Sequence, residues 1–61
     1  MLKLKEVVGN KVYWTYIKSD AIIKVNEVTI TVAGKEVDAY KLYLSNKMKV
    51  TVLEYPPKQT L

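Results

Sequence analysis

The stretch Leu2-Lys3-Leu4-Lys5-Glu6-Val7-Val8-Gly9-Asn10-Lys11-Val12-Tyr13-Trp14-Thr15-Tyr16-Ile17 decides the fold. On both sides of Gly9-Asn10 the side chains alternate with period two, the pattern of a half-buried strand. Glycine first in a two-residue loop suits a type II′ hairpin. That loop predicts Val8 opposite Lys11, Val7 opposite Val12, Lys5 opposite Trp14 and Lys3 opposite Tyr16. One face of the hairpin is then Leu2, Leu4, Glu6, Val8, Lys11, Tyr13, Thr15 and Ile17, which holds the aliphatic anchors of a core. The other is Lys3, Lys5, Val7, Val12, Trp14, Tyr16 and Lys18, which mixes lysines with large aromatics. The alternative is a register moved by one residue, which would make Trp14 a core anchor instead. The only tryptophan of a small domain is more often buried than displayed.

Further along, turn signals fall at Ser19-Asp20, Asn26-Glu27, Gly34-Lys35 and Ser45-Asn46-Lys47. With them, strands are predicted at about 2–8, 11–18, 21–25, 28–33, 36–44 and 48–55. A turn at Asn26-Glu27 would set Val25 against Val28, Ile23 against Ile30 and Ala21 against Val32. A three-residue loop at Ser45-Asn46-Lys47 would set Leu44 against Met48, Leu42 against Val50 and Tyr40 against Val52. Lys41, Tyr43, Lys49 and Thr51 then share the opposite side. Val37 and Ala39 have the opposite parity to Leu42 and Leu44, which predicts a bulge or sharp bend near Ala39-Tyr40. Pro56-Pro57 should end the last strand, because proline cannot donate to a ladder.

These readings predict an all-β domain over residues 1–55, a five- or six-stranded antiparallel, SH3-like, partly open barrel, with 56–61 as a short C-terminal tail. Its core would centre on Leu2, Leu4, Ile17, Ile23, Val25, Val28, Ile30, Val32, Leu42, Leu44, Val50 and Val52. Composition agrees. Nine Val, four Ile, five Thr and five Tyr stand against three Ala in 61 residues, and branched or aromatic side chains favour a pleated surface. A chain this short buries only roughly 60% of the surface it exposes when unfolded, and it has no cysteine for a disulfide.

Ten Lys against six Asp plus Glu give a net charge of +4, with no Arg and no His. Such a balance mildly attracts anions: nucleic acid, anionic lipid or an acidic partner. Lysines on small β domains also keep sheet edges soluble. The Lys-only positive charge fits a thermophilic source and an AT-rich genome equally well. No apolar run approaches the roughly 18 residues of a membrane span. The alternating N-terminus is not that of a signal peptide, so a cytoplasmic protein with no membrane partner is expected.

Enzymatic chemistry finds little footing. The chain lacks the commonest general base, the thiol nucleophile and the soft metal ligands. Glu36 and Asp38 share a strand face that could meet a hard cation, but two carboxylates beside Gly34-Lys35 also describe a solvated hairpin end. Ser19 and Ser45 sit in turns with no partner base, and two distant glycines make no phosphate loop. No catalytic residue, metal or cofactor is expected.

Lys3, Lys5, Trp14, Tyr16 and Lys18 carry the functional reading, with Lys41 and Lys49 beside them. Lysines neutralise phosphates, and exposed aromatics stack on bases or wedge into a base step. In size, lysine bias and strand-only pattern the chain resembles the small chromatin proteins of hyperthermophilic crenarchaea. Those are SH3-like barrels that bind duplex DNA through a sheet face bearing a tryptophan. The resemblance is one of type, without a shared motif, and carries over no residue. Non-specific duplex DNA binding is therefore one expectation. The other is a protein contact through the same aromatics, as a homodimer or a small regulator docking on a larger protein, with 21–25 as an edge strand open to pairing.

Overall fold

In the computed structural model, which describes residues 1–57, the first hairpin has the expected register. β1 (Leu2–Val8) and β2 (Lys11–Ile17) pair from Leu2 opposite Ile17 to Val8 opposite Lys11. Gly9 takes φ +62°, as glycine opening a two-residue loop requires. β3 (Ile22–Val32), β4 (Lys35–Leu44) and β5 (Lys49–Val52) complete one antiparallel sheet in the order β2-β1-β5-β4-β3. The all-β, five-stranded expectation holds.

The connection from β2 to β3 shows that this sheet is curled. β2 and β3 are its two edges, about 19 Å apart if four strand spacings lay flat. The chain has only five residue steps from Ile17 to Ile22, at most about 18 Å when fully extended. Part of that length is a single 3-10 turn, Ser19–Ala21, closed by the Ala21 N–H donating to the Lys18 carbonyl at 3.0 Å. The sheet must therefore roll its edges towards each other, which suits a partly open barrel. Inside the roll lie Leu4, Ile17, Leu42 and Val52, with Leu2, Ile22, Tyr40, Leu44, Val50 and Tyr55 packed around them. Fully burying each Leu or Val contributes roughly 1.5–3 kcal/mol.

The β4–β5 loop also follows the sequence. Leu44 N–H donates to the Met48 carbonyl at 2.9 Å, Lys47 N–H to the Leu44 carbonyl at 3.0 Å, and Asn46 Oδ1 accepts from the Met48 N–H. Leu42 opposes Val50 and Tyr40 opposes Val52, as expected. Lys47 adopts φ +70°, the left-handed residue that closes such a three-residue loop.

The middle of the chain corrects the sequence reading. Asn26 and Glu27 do not turn; they continue β3, opposite Lys41 and Tyr40. The hairpin turns at Ala33-Gly34, one residue before the expected Gly34-Lys35, with Lys35 already in β4; both loop residues are at positive φ (51° and 79°), the signature of a type I′ loop. Ala21 lies in the 3-10 turn. No bulge forms at Ala39-Tyr40; the irregularity falls between Ile22 and Lys24, where Ile23 is squeezed out and left 69% exposed. Residues 48–55 shorten to β5, and Lys18 lies past the end of β2.

The expected core changes accordingly. Ile23 and Val25 are exposed, while Val28, Ile30 and Val32 are half-buried on the sheet face away from Leu42. Ala39, paired with Val28, is 1% exposed on that second face. The parity conflict in β4 is therefore real but needs no kink. Its apolar side chains change faces where the strand outruns β5, between Tyr40 and Ala39. Of the expected tail, Pro56 and Pro57 follow β5 as irregular chain, and residues 58–61 lie outside the described residues.

Candidate nucleic-acid interface

Residues directly opposite each other in antiparallel strands point to the same side, so the registers assign every strand residue to a face. Glu6 opposes Val52, and Val52 opposes Tyr40, which links all five strands. Leu4, Ile17, Leu42 and Val52 define the inner face. On the outer face lie Lys3, Lys5, Trp14 and Tyr16 from the first hairpin, with Lys41, Tyr43 and Lys49 from β4 and β5. The long-range pairing thus brings onto one face two groups that the sequence placed separately.

Charge follows the same division. Of the strand lysines, Lys3, Lys5, Lys24, Lys35, Lys41 and Lys49 point outward, and Lys11 alone shares the inner parity. All the strand carboxylates, Glu6, Glu27, Glu36 and Asp38, share the inner parity. Period-two alternation in each strand does this locally, and the pairing then sums it over the whole sheet.

Two lysine–aromatic nests result. Trp14 is 57% exposed and Tyr16 61%. Lys3 Nζ lies 4.5 Å and Lys5 Nζ 5.3 Å from the Trp14 ring centroid. Three strands away, Lys24, Lys41 and Lys49 hold their Nζ atoms 5.4, 5.8 and 5.6 Å from the ring of Tyr43. The Tyr43 hydroxyl accepts a long hydrogen bond, 3.5 Å, from Asn26 Nδ2. Exposed cation–π contacts stabilise by about 0.5–1 kcal/mol each, which offsets part of the repulsion among neighbouring ammoniums. An anion seated among them would relieve the remainder. From the register, the two nests lie at most about 20 Å apart on the sheet.

Leu53 continues the sheet by donating its N–H to the Lys5 carbonyl at 3.0 Å. With Lys5, Val12, Tyr13 and Trp14 it lines a hollow of about 250 Å³ beside the indole. A second hollow, of about 180 Å³, is lined by Lys3, Leu4, Lys5, Trp14, Glu54 and Pro57. Among the described residues, Glu54 is the one carboxylate lining this hollow with the lysines.

Lys18, expected in the site, instead stands at its margin, where its carbonyl closes the 3-10 turn. Lys41 and Lys49 gather around Tyr43 and not around Trp14. Two members were missed by sequence reasoning, Lys24 and Tyr43. A turn at Asn26-Glu27 had cut Lys24 off from β4; the ladder from Lys24 through Val32 is what seats it opposite Tyr43. Glu36 and Asp38 lie exposed opposite Thr31 and Thr29, and no cluster of three metal-ligating side chains occurs among the described residues. Among those residues, no helix is long and apolar enough to cross a membrane. Comparison with protein-family models, curated proteins and solved structures returns no match to this chain.

Proposed function

We propose that this protein is a non-catalytic module that binds duplex DNA without sequence preference through its outer sheet face. Lys3, Lys5, Lys24, Lys41 and Lys49 neutralise phosphates, while Trp14 and Tyr16 contact bases or sugars. The observation that carries this reading is the sorting of strand charges, six lysines on one face and four carboxylates with the opposite parity, with both lysine clusters wrapped on exposed or half-exposed rings. A sheet face of this kind can lie along a groove, with backbone contacts supplying affinity and no base code.

Trp14 emission reports the test directly, since the chain has one tryptophan. Titration with a mixed-sequence duplex should change that emission at low salt. Five phosphate contacts predict a slope of log affinity against log salt of about −4.5. Replacing Lys24, Lys41 and Lys49 together with Gln should make the slope shallower by roughly 2–3. An emission unmoved by duplex at low salt, or a slope indifferent to the triple substitution, overturns the proposal.

A second reading keeps the same surface and changes the partner. Val12 is exposed on that face together with Trp14 and Tyr16, and aromatic clusters of this kind also anchor protein contacts. A complex insensitive to salt would favour it.

A further inference from the structure

We infer that the outer half of β3, Val28-Thr29-Ile30-Thr31-Val32, is a self-association edge through which two copies of this chain join their sheets. The inference is independent of what the lysine face binds. β3 is an edge strand, and among the described residues no ladder joins it to β2. Natural edges are blunted by lysine, proline or a bulge. The first part of β3 has such protection in the Ile23 bulge and Lys24. From Val28 to Val32 there is none.

The segment reads the same in both directions. Set antiparallel to itself about Ile30, it places Ile30 against Ile30 of the second copy, Val28 against Val32, and Thr29 against Thr31. Each outer-face residue meets an outer-face residue, so the contact is isologous and closes as a two-fold dimer. Glu27 would meet Ala33 of the second copy, and no like charges are set opposite each other.

Backbone phase fits as well. The two-residue loop makes Val32 and Lys35 the hydrogen-bonded pair that closes the hairpin. Alternation along the ladder then turns the N–H and C=O of Thr29 and Thr31 to the open edge. In the dimer, Thr29 and Thr31 exchange about four hydrogen bonds across the axis. Ile30 meets its copy in the closer, non-hydrogen-bonded position, where side chains touch best. The half-buried row of Val28, Ile30 and Val32 becomes continuous between copies. Because the axis is perpendicular to the sheet, both lysine faces look the same way.

Sedimentation equilibrium without nucleic acid, from micromolar to submillimolar protein, tests this. The wild type should move from 7.0 kDa to twice that mass. Thr31→Pro removes an N–H that the β3–β4 ladder does not use, a position where an edge strand tolerates proline. It should weaken dimerisation roughly tenfold or more while leaving a β-type circular dichroism spectrum. If that variant fails to fold, Ile30→Lys and Ile30→Glu replace it. Each alone should be monomeric, and an equimolar mixture should dimerise. A wild type that stays at 7.0 kDa throughout overturns the inference. So does a dimer indifferent to Thr31→Pro, or an Ile30→Lys and Ile30→Glu mixture that behaves no differently from its components.

Discussion

The β1–β2 and β3–β4 hairpins both have two-residue loops and antiparallel pairing, yet they use their outer faces differently. In β1–β2 that face carries Lys3, Lys5, Trp14 and Tyr16, long side chains that reach water with charge or aromatic area, with Val7 and Val12 next to the loop. In β3–β4, beyond the reach of β5, it carries Val28, Ile30, Val32, Val37 and Ala39, short branched or small groups, with Lys35 as the single charge at the loop end. The inner faces reverse this. The first hairpin turns Leu4 and Ile17 into the core, whereas the outer part of the second turns Thr29, Thr31, Glu36 and Asp38 to solvent. One sheet surface therefore has a charged half and a mostly aliphatic half. A charged half suits an anionic ligand, and a mostly aliphatic half beside an open edge suits another protein strand.

Removing the anchor that both hairpins share would break this contrast most severely. Leu42 is fully buried against Leu4, Ile17 and Val52. Leu42→Ala should cost about 2–5 kcal/mol, roughly half of the stability of about 3–9 kcal/mol expected at this length. Urea unfolding at 25 °C should find its midpoint roughly halved. A loss below about 1 kcal/mol would mean that the core does not centre there.

A smaller change sharpens the comparison at the loops. Gly9 adopts positive φ without penalty, but Ala33 at φ +51° holds a conformation that costs a side chain about 1–2 kcal/mol. Ala33→Gly should stabilise the second hairpin by up to about 1 kcal/mol, after the added freedom of the unfolded chain is deducted. Gly9→Ala should destabilise the first by a similar amount, although a methyl group there meets no atom within 4 Å. Equal signs for the two substitutions in urea titrations would contradict the loop assignments.

The smallest effect concerns the charged half alone. Glu54 shares a hollow with Lys3, Lys5 and Trp14 and competes with a phosphate for those ammoniums. Glu54→Gln should leave stability within about 0.5 kcal/mol and tighten duplex binding a few-fold at low salt, measured by Trp14 emission. Weaker binding would place the phosphate elsewhere on the sheet.

The first and third loops were legible in the residues because each sits between runs of fixed parity, and one loop length satisfies both sides. The middle of the chain was legible only in part: a turn signal stood at Gly34-Lys35, one residue past the loop that forms, but the other signal, at Asn26-Glu27, marks no turn. Asn26-Glu27 and Ala33-Gly34 both separate alternating runs, and both set apolar residues opposite one another: Val25 with Val28 and Ile23 with Ile30 in the first case, Ile30 with Val37 and Val28 with Ala39 in the second. What separates them lies far along the chain. Only a turn at Ala33-Gly34 lets Val25 and Glu27 reach Leu42 and Tyr40, so that β4 is paired on both sides while it joins β5. Ile23 could not be read as exposed for the same reason, since its bulge is measured against Leu44 and Tyr43.

Alternation alone determined that this chain forms strands, which residues share a side within each strand, and that Trp14 stands opposite Lys5. Those properties depend on neighbours two residues apart and one tight turn. The folded sheet decided that the lysines near Trp14 and those near Tyr43 share one surface, that Lys24 joins them, and that Val28–Val32 forms an edge. Strand order is set by contacts between distant segments, and a period of two carries no information about which strand will lie beside which.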